Sequence, residues 1–418
     1  MPIDTKRDAR LAALDRRIDF GSQAYLAAPW ETLVPIGRDA PVFWSAALHG
    51  WVVIRHADVK AGYADPRLSA RRMDLYRRAV QGDPDSLYPQ FFKYQGLVVN
   101  MMDRPALTRV RALMLKAFGR QQVDLIAPAL RGAVAELLDE AGRAGTLDFV
   151  EMVASRLPMR VLQIMLGVSE AYNREFFTLA SAIVRASGAA APTSEQMETA
   201  EQAIGRLNDI FRALIAERRA QPSDDLLSAL VAARDNADRL SEDELLAACL
   251  IIIEAGAETT VHMLGVATRE IALRPDLQAR TRHSVEEADK VAVELLRYPG
   301  LVMCMTRIAA EDFDWHDARV KAGDLIFLMN NAANMDADVF PDPERIDPDR
   351  PNQHASMAFG PGLHHCLGHL LARKELAEFL HATFRRFDIE ILDGAPHYIS
   401  SLIFRGLESL RVRVTPRG

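Results

Sequence analysis

Near its C-terminal end the chain reads Phe359-Gly360-Pro361-Gly362-Leu363-His364-His365-Cys366-Leu367-Gly368, a glycine-rich loop that leads to a cysteine. Gly360 and Gly362 allow the backbone to turn tightly and to approach a flat ligand closely. Cys366 stands just before a predicted amphipathic helix from Leu367 to about Phe384. The N-terminus of a helix favours an anion, and this setting lowers the pKa of a thiol. The pattern therefore predicts a thiolate that acts as a soft, electron-rich metal ligand.

Three other interpretations of Cys366 remain open on these residues alone. A lone cysteine is often a buried structural residue, although that would not explain the glycines. A zinc site is chemically possible, but its spacing matches no common zinc pattern. Its ligands would be His364, His365, Cys366 and His369. The third interpretation is a redox-sensing thiol.

A second informative segment lies within the longest helical pattern, from Ser241 to about Leu273. Ser241 and Glu244 form a capping box at its start, and the run 250–253 is apolar on every side, which predicts a central helix. The helix contains Ala255-Gly256-Ala257-Glu258-Thr259-Thr260. The small residues at 255 and 256 would leave room beside one face for a planar cofactor and a small molecule. Thr259 can bond back to the carbonyl group of Ala255 and bend the helix. The alternative is a solvated glutamate beside a packing threonine.

Composition limits the class of protein. The chain has 418 residues, of which 49% are hydrophobic, and a net charge of −7, which gives no reason to expect nucleic-acid binding. The first twenty residues carry charges of both signs and lack a signal-peptide pattern. No apolar run in the sequence is expected to be long and uncharged enough to span a bilayer. Three distant cysteines are not a disulfide framework. We expect a soluble, cytoplasmic protein without membrane or nucleic-acid partners.

The remaining patterns predict one mainly helical domain with small β-sheets, spanning residues 1–418. Residues 51–54 are a predicted strand, and a helix follows from His56 to Asp65. Residues 72–100 form a long loop with short helices. From Pro105 to about Arg297 the chain is almost entirely helical, with breaks at 187–192 and 221–224. Short strands, a meander at 336–351 and strands over 399–414 complete the chain.

The cysteine loop resembles the signature of cytochromes P450, Phe-Gly-x-Gly-x-His-x-Cys-x-Gly, at every fixed position. The resemblance implies haem b (iron protoporphyrin IX) with Cys366 as the axial thiolate and His364 bonded to a propionate. It also implies the cytochrome P450 fold, with the long central helix over the haem. Further residues implied to bind the cofactor are Phe359, Gly360, Ala255, Gly256, Arg111 and Arg307.

The central helix resembles the family's oxygen-binding helix, Ala-Gly-x-Glu-Thr. The resemblance assigns Thr259 to hydrogen bonding with the oxygen molecule and Glu258 to relaying protons for O–O cleavage. Two positions depart from the family pattern. Leu107 stands where a propionate-binding histidine is common, four residues before Arg111. Ile346 stands where phenylalanine is usual.

Glu294 and Arg297 lie three residues apart, hence on one helix face. Such a pair is common on surface helices. In P450s a Glu-x-x-Arg pair joins an arginine from the meander in a buried network, and the resemblance implies Arg345 as this partner. The expected role is to hold the cysteine loop in place.

The resemblance implies a monooxygenase that inserts one oxygen atom into an apolar small molecule. Pocket segments by family position are 72–100, 252–259, 301–305 and 400–404. The chain shows no flavin or ferredoxin domain, so electrons are expected from a separate ferredoxin-type donor. Basic residues predict a docking patch, namely Arg104, Arg109, Arg111, Lys116, Arg373 and Lys374. The alternatives are a haem protein that senses or transfers electrons, and a peroxide-using enzyme, but neither explains the Glu-Thr pair.

Overall fold

A computed structural model describes residues 14–16, 18–188, 192–235 and 238–417. Most of the charged N-terminal segment, and residues 189–191 of the predicted break, lie outside the described residues. The chain divides into two compact units, each described by itself. The first contains 1–70, 290–366 and 393–410, and the second contains 71–289, 367–392 and 411–418. The single domain over 1–418 stays a prediction.

The first unit is built on a five-stranded sheet in the order β1-β2-β10-β7-β3. Its strands are β1 Val42–Ser45, β2 Gly50–Val53, β3 Leu68–Ser69, β7 Met305–Ala309, β8 Phe313–Trp315, β9 Ala318–Val320 and β10 Leu325–Leu328. Its helices are α1 Gln23–Ala27, α2 Pro29–Asp39, α3 His56–Ala64, the later part of α15 Val285–Leu295, and α16 Asn330–Ala333. β8 and β9 form a separate hairpin.

Strand pairing in this unit follows the predicted apolar runs. β10 lies parallel to β2, with Phe327 opposite Val52, and antiparallel to β7, with Phe327 opposite Thr306. Strands β2 and β10 are largely buried, as hydrophobic strands covered on both faces should be. This register places Arg307 on β7 opposite Ile326 of β10.

The second unit is mainly helical. Its helices are α4 Met73–Ala79, α5 Pro84–Leu87, α6 Pro89–Gln95, α7 Ala106–Ala117, α8 Arg120–Ala144, α9 Leu157–Leu166, α10 Asn173–Gly188, α11 Ser194–Ala220, α12 Leu226–Ala232, α13 Glu242–Ala272, α14 Pro275–His283 and α17 His369–Arg386. Its strands are β4 Thr146–Asp148, β5 Arg234–Asp235, β6 Asp238–Arg239, β11 Phe387–Ile391 and β12 Arg411–Pro416. One sheet has the order β11-β12-β4, and β5 pairs with β6. Of these strands, β4, β5 and β6 interrupt the predicted helical run.

α13 is the long central helix that the sequence predicts. The Ser241 hydroxyl accepts a hydrogen bond from the Glu244 N–H, and the Glu244 carboxylate accepts one from the Ser241 N–H, so the capping box is present. The expectation about apolar runs needs correction, because α13 is long and apolar enough to cross a membrane by length and composition. However, 67% of its most apolar stretch of 18 residues is buried within the protein, as expected for a core helix.

The segments around the cysteine loop differ from expectation in two places. The helix after the loop begins at His369 rather than Leu367, with Gly368 at its N-cap. The predicted strands over 399–414 reduce to β12, because only this part has neighbouring strands on both sides. Before it, Phe404 and Leu407 make isolated bridges to Val302 and Tyr398.

Candidate active site

The cysteine loop owes its shape to two glycines in the left-handed region. Gly360 has φ +65° and Gly362 has φ +74°, conformations that L side chains rarely adopt. The Cys366 N–H donates to the carbonyl of Phe359 at 2.9 Å, which closes the loop. A short 3₁₀ turn, Gly362–His364, lies within it. The loop predicted from sequence is therefore confirmed as a tight turn that presents Cys366.

The three cysteines differ in accessibility. Cys249 and Cys304 are buried, whereas Cys366 is half-exposed. Burial raises the pKa of Cys249 to about 12, because its thiolate would be poorly solvated. The Cys304 thiol donates to the carbonyl of Leu402 at 3.4 Å. Cys366 is thus the accessible thiol, on a loop that a flat group can approach, and these features fit the haem that the sequence implies.

The zinc alternative gains nothing from the structure. Over the described part of the chain, no three His, Cys, Asp or Glu side chains come together in a possible metal cluster. A zinc site needs three or four protein ligands in close contact. A single thiolate beneath a planar cofactor has no such requirement.

Tyr63 on α3 lies between two of the predicted cofactor-binding residues, and sequence reasoning missed it. A Cβ atom added to Gly360 would lie 3.6 Å from the Tyr63 ring, and the Arg307 guanidinium lies 5.3 Å from the ring centroid. The Tyr63 hydroxyl donates to Oδ1 of Asn330 at 3.0 Å. Burial raises the pKa of Tyr63 to about 12, although Arg307 opposes the shift. Its sole sequence signal is an aromatic residue in a short predicted helix.

Glu294 and Arg297 form a buried ion pair, as predicted, but their third partner is Arg350 and not Arg345. Arg297 donates to the Glu294 carboxylate at 2.7 and 3.1 Å, and Arg350 donates to it at 3.0 Å. The Arg345 side chain is 70% exposed and faces Asp347 at 4.0 Å. Arg345 contributes its backbone instead, since its carbonyl accepts from Arg350 at 2.9 Å. The fold of the meander brings the later arginine inward.

This network is connected to the cysteine loop through one asparagine. Nη1 of Arg297 donates to the carbonyl of Asn334 at 2.9 Å. Oδ1 of Asn334 accepts from the N–H of Met357 at 2.7 Å, two residues before Phe359. The buried charges therefore position the start of the loop through hydrogen bonds within the first unit.

On α13 the predicted hydrogen bond from Thr259 back to Ala255 is present. The Thr259 hydroxyl donates to the carbonyl of Ala255 at 2.6 Å. Ala255 is exposed, although residues 252–254 and Ala257 are buried. The expectation of open room beside Gly256 is wrong, because a Cβ atom there would lie 2.9 Å from Leu162 of α9. Successive helical residues point about 100° apart, so Ala255 faces open space while Gly256 allows α9 to pack closely.

Glu258 lies one turn from Ala255 and is half-buried. Burial raises the pKa of the Glu258 carboxyl, while a hydrogen bond with Ser181 and the charge of Arg185, both on α10, oppose the shift. A carboxyl with a raised pKa retains a proton nearer to neutral pH than an exposed glutamate does. This setting suits a group that accepts and donates protons.

The middle of α7 carries Arg111, which is half-buried, one turn after the buried Leu107. The predicted basic patch is weaker than the sequence indicates. Arg109 pairs with Glu244, and Arg373 pairs with Asp289 at 2.5 Å. Lys374 lies 3.3 Å from Glu378. Acidic neighbours within the second unit thus offset three of the six predicted cations.

The predicted site residues fall into two groups. The first unit brings Gly360 and Arg307 together around Tyr63. Gly360 lies on the same loop as Phe359, His364 and Cys366. The second unit places Ala255, Gly256, Glu258 and Thr259 on one segment of α13, and Arg111 on α7. The roles assigned to these residues from sequence stay predictions.

Comparison with known proteins supports one family. The family model described as cytochrome P450 matches residues 74–402. The 6-deoxyerythronolide B hydroxylase of Saccharopolyspora erythraea is 32% identical and covers 95% of this chain and 98% of its own. The mycinamicin IV hydroxylase/epoxidase of Micromonospora griseorubida is 36% identical, and the match covers 84% of this chain and 85% of the relative.

Among solved structures, the epothilone B-bound cytochrome P450epoK superposes with a TM-score of 0.87. It is 26% identical and covers 96% of this chain and 100% of its own. The predicted fold, mainly α with small β-sheets, is therefore confirmed. The family model, the two hydroxylases and the cysteine loop agree, and this chain belongs to the cytochrome P450 family of haem-iron monooxygenases.

Proposed function

We propose that this protein binds haem b through the thiolate of Cys366 and inserts one oxygen atom into an apolar small molecule. The observation that carries the proposal is the half-exposed Cys366 on a loop with two left-handed glycines. A thiolate-ligated haem supplies oxygen-activating redox chemistry, since the electron-rich sulfur favours O–O cleavage. The protein supplies position, polarity and exclusion of water.

The cofactor carries propionate carboxylates at its edge. Arg111, Arg307 and His364 are our candidates for binding them. Arginine suits this role because its planar fork donates two parallel hydrogen bonds to a carboxylate. Phe359, Gly360 and Ala255 are further candidates for contact with the haem, whereas the side of Gly256 is occupied by Leu162. Leu107 donates no hydrogen bond, so the propionate contact that a histidine commonly makes there would be missing.

Protons would be delivered by Glu258 and Thr259. The Thr259 hydroxyl bonds to the Ala255 carbonyl, beside the accessible part of α13. The carboxyl pKa of Glu258 lies above its ordinary value because of burial, and this shift favours a role in accepting and returning protons. The threonine would position the oxygen species and the glutamate would return protons to it.

The substrate would be an apolar molecule that is hydroxylated or epoxidised. The names of two relatives describe a hydroxylase and a hydroxylase/epoxidase. The predicted pocket segments are mostly apolar, which favours terpenoid, fatty-acyl, aromatic or polyketide compounds. We further propose a cytoplasmic enzyme in which residues 1–418 act as one domain.

Electrons would come from a separate ferredoxin-type donor that docks on basic residues. The candidate contacts are Arg104, Arg109, Lys116, Arg373 and Lys374, of which Arg109, Arg373 and Lys374 are paired with acidic neighbours. Charge reversal by Lys116→Glu should raise the apparent Michaelis constant for an acidic ferredoxin several-fold and leave substrate binding unchanged. Reduction should also slow as salt rises. Reduction that is indifferent to both changes would place the donor elsewhere.

The ligand experiment uses the reduced carbon-monoxide spectrum. The wild type should show the red-shifted band of thiolate-ligated haem, and Cys366→Ala should lose it. Cys249→Ala is the matched control, since this buried thiol should not affect the band. A colourless wild-type protein carrying stoichiometric zinc would contradict the proposal.

The proton-delivery experiment compares two variants with the wild type. Thr259→Ala should bind haem and substrate but release a larger share of its electrons as peroxide. Glu258→Gln should slow turnover more than it changes substrate affinity, because the amide cannot relay protons. Product formation and peroxide release are measured together. Wild-type rate and coupling in both variants would refute the assignment.

A further inference from the structure

Besides Glu258, α13 carries Glu254, which is buried and has no charged partner among the described residues. Its side chain is 6% exposed, and its Oε1 accepts a hydrogen bond at 2.8 Å from Nε2 of Gln95, which is 2% exposed. Gln95 is the one hydrogen-bond partner that the Glu254 carboxyl has among the described residues. Burial raises the pKa of this carboxyl to about 8, so it is largely neutral at pH 7.

A neutral carboxyl has one donor that the Gln95 bond does not use. Oε1 accepts from the amide, so the acid proton on the other oxygen remains available. Apolar residues near both groups in the chain are buried: Ile252, Ile253 and Ala257 on α13, and Phe91, Phe92 and Tyr94 on α6. An apolar pair of similar shape would pack here without the cost of desolvating two polar groups. Packing alone therefore gives no reason for a carboxyl at this position.

The position of Glu254 relates it to the proposed substrate site. Glu254 directly precedes Ala255, the exposed residue of this helix segment. It lies four residues before Glu258 and hence on the same helix face. Gln95 belongs to the 72–100 segment, which the sequence predicts to line the pocket. Glu254 thus belongs to the segment of α13 that carries the accessible residue, within the second unit.

We propose that Glu254, oriented by Gln95, donates a hydrogen bond to a carbonyl, hydroxyl or ether oxygen of an otherwise apolar substrate. Such an anchor selects molecules with one acceptor at a set distance from the oxidised carbon, and it fixes which carbon is presented. The inference rests on the proposed function, because it places the substrate beside this helix.

Two probes with one ring skeleton test the anchor: cyclododecanone, which has a single carbonyl acceptor, and cyclododecane, which has none. Equilibrium dialysis of the haem-loaded protein with gas-chromatographic detection gives both dissociation constants. The dissociation constant of the hydrocarbon divided by that of the ketone measures the preference for the ketone. Glu254→Leu should lower this ratio about tenfold. Glu254→Gln should retain most of the ratio, since its amide also donates. Glu242→Gln, at the exposed start of α13, is the matched control and should change nothing.

A purely structural tie between α6 and α13 would lower stability in Glu254→Leu and leave the affinity ratio unchanged. A ratio within twofold of the wild type, or no binding of either probe, overturns the anchor. If Glu254→Leu does not fold, Glu254→Met replaces it, and the infrared carbonyl band of bound ¹³C-cyclododecanone in the wild type gives an independent reading. That band should lie below its position in hexane, and an unshifted band also overturns the anchor.

The carbon-monoxide spectrum of the same samples separates this proposal from the proposed function. A thiolate band with an unchanged ratio removes only the anchor. An absent band in the wild type removes the proposed haem-thiolate chemistry, whatever the dialysis result.

Discussion

Glu294 in the first unit and Glu254 in the second are the same residue type, and both are nearly inaccessible to water. Glu294 is 0% exposed and pairs with Arg297 and Arg350. Glu254 is 6% exposed and meets only the neutral amide of Gln95 among the described residues. The difference shows that burial alone does not set the role of a carboxyl. Glu294 is paired with two guanidinium groups and is a structural anion, whereas Glu254 meets one amide and remains a neutral donor.

The largest effect should follow removal of the structural anion. Glu294→Ala leaves Arg297 and Arg350 buried without their carboxylate, which costs about 3–5 kcal/mol of folding free energy. Because the network positions the cysteine loop through Asn334, the variant should also lose haem. Haem content per polypeptide and denaturant midpoint measure both effects. Normal values of both would mean that the two glutamates are equivalent after all.

The identity of the third network member gives the next largest effect. Arg350→Met should destabilise the protein by about 2–3 kcal/mol, because it removes charge-assisted hydrogen bonds to Glu294 and to nearby carbonyls. Arg345→Met should cost less than about 0.5 kcal/mol, since that side chain is exposed. Thermal unfolding of the two variants side by side measures the difference. Equal losses would return Arg345 to the network.

The smallest expected effect is the change in folding stability with pH that arises from protonation of Glu254. The folded protein holds the pKa of Glu254 near 8, above the ordinary value of 4.5. The folded state therefore retains a proton that the unfolded chain releases, and this contribution to stability is lost as pH rises from about 4.5 to about 8. Between pH 5.5 and 7.5 the wild type should lose about 2 kcal/mol relative to Glu254→Gln.

Glu375 on α17 provides a check on that result. Burial raises its carboxyl pKa to about 8 as well, so it adds a slope of the same sign. The comparison must therefore be made between the wild type and each single Gln variant. Parallel pH profiles for the wild type and Glu254→Gln would show that Glu254 is ionised in the folded protein, and the contrast with Glu294 would disappear.

The parts of the site that depend on neighbours in the chain were predictable. The left-handed glycines, the turn before Cys366, the capping box of α13 and the bond from Thr259 to Ala255 all join residues fewer than ten positions apart. Local backbone preference and helix geometry determine such features, because few alternative partners compete for them. The ten-residue signature therefore identified both the family and the fold.

Other parts were decided only when distant segments came together. The family motif favoured Arg345 as the third member of the buried network, yet the folded meander turns Arg350 toward Glu294. Gly256 is one of two small residues in sequence, but its side of α13 is occupied by Leu162. Glu254 looks like any helical glutamate until α6 brings Gln95 to it across 159 positions of chain. Burial and partner determine the charge of a side chain, and both arise from long-range packing rather than from neighbours in the sequence.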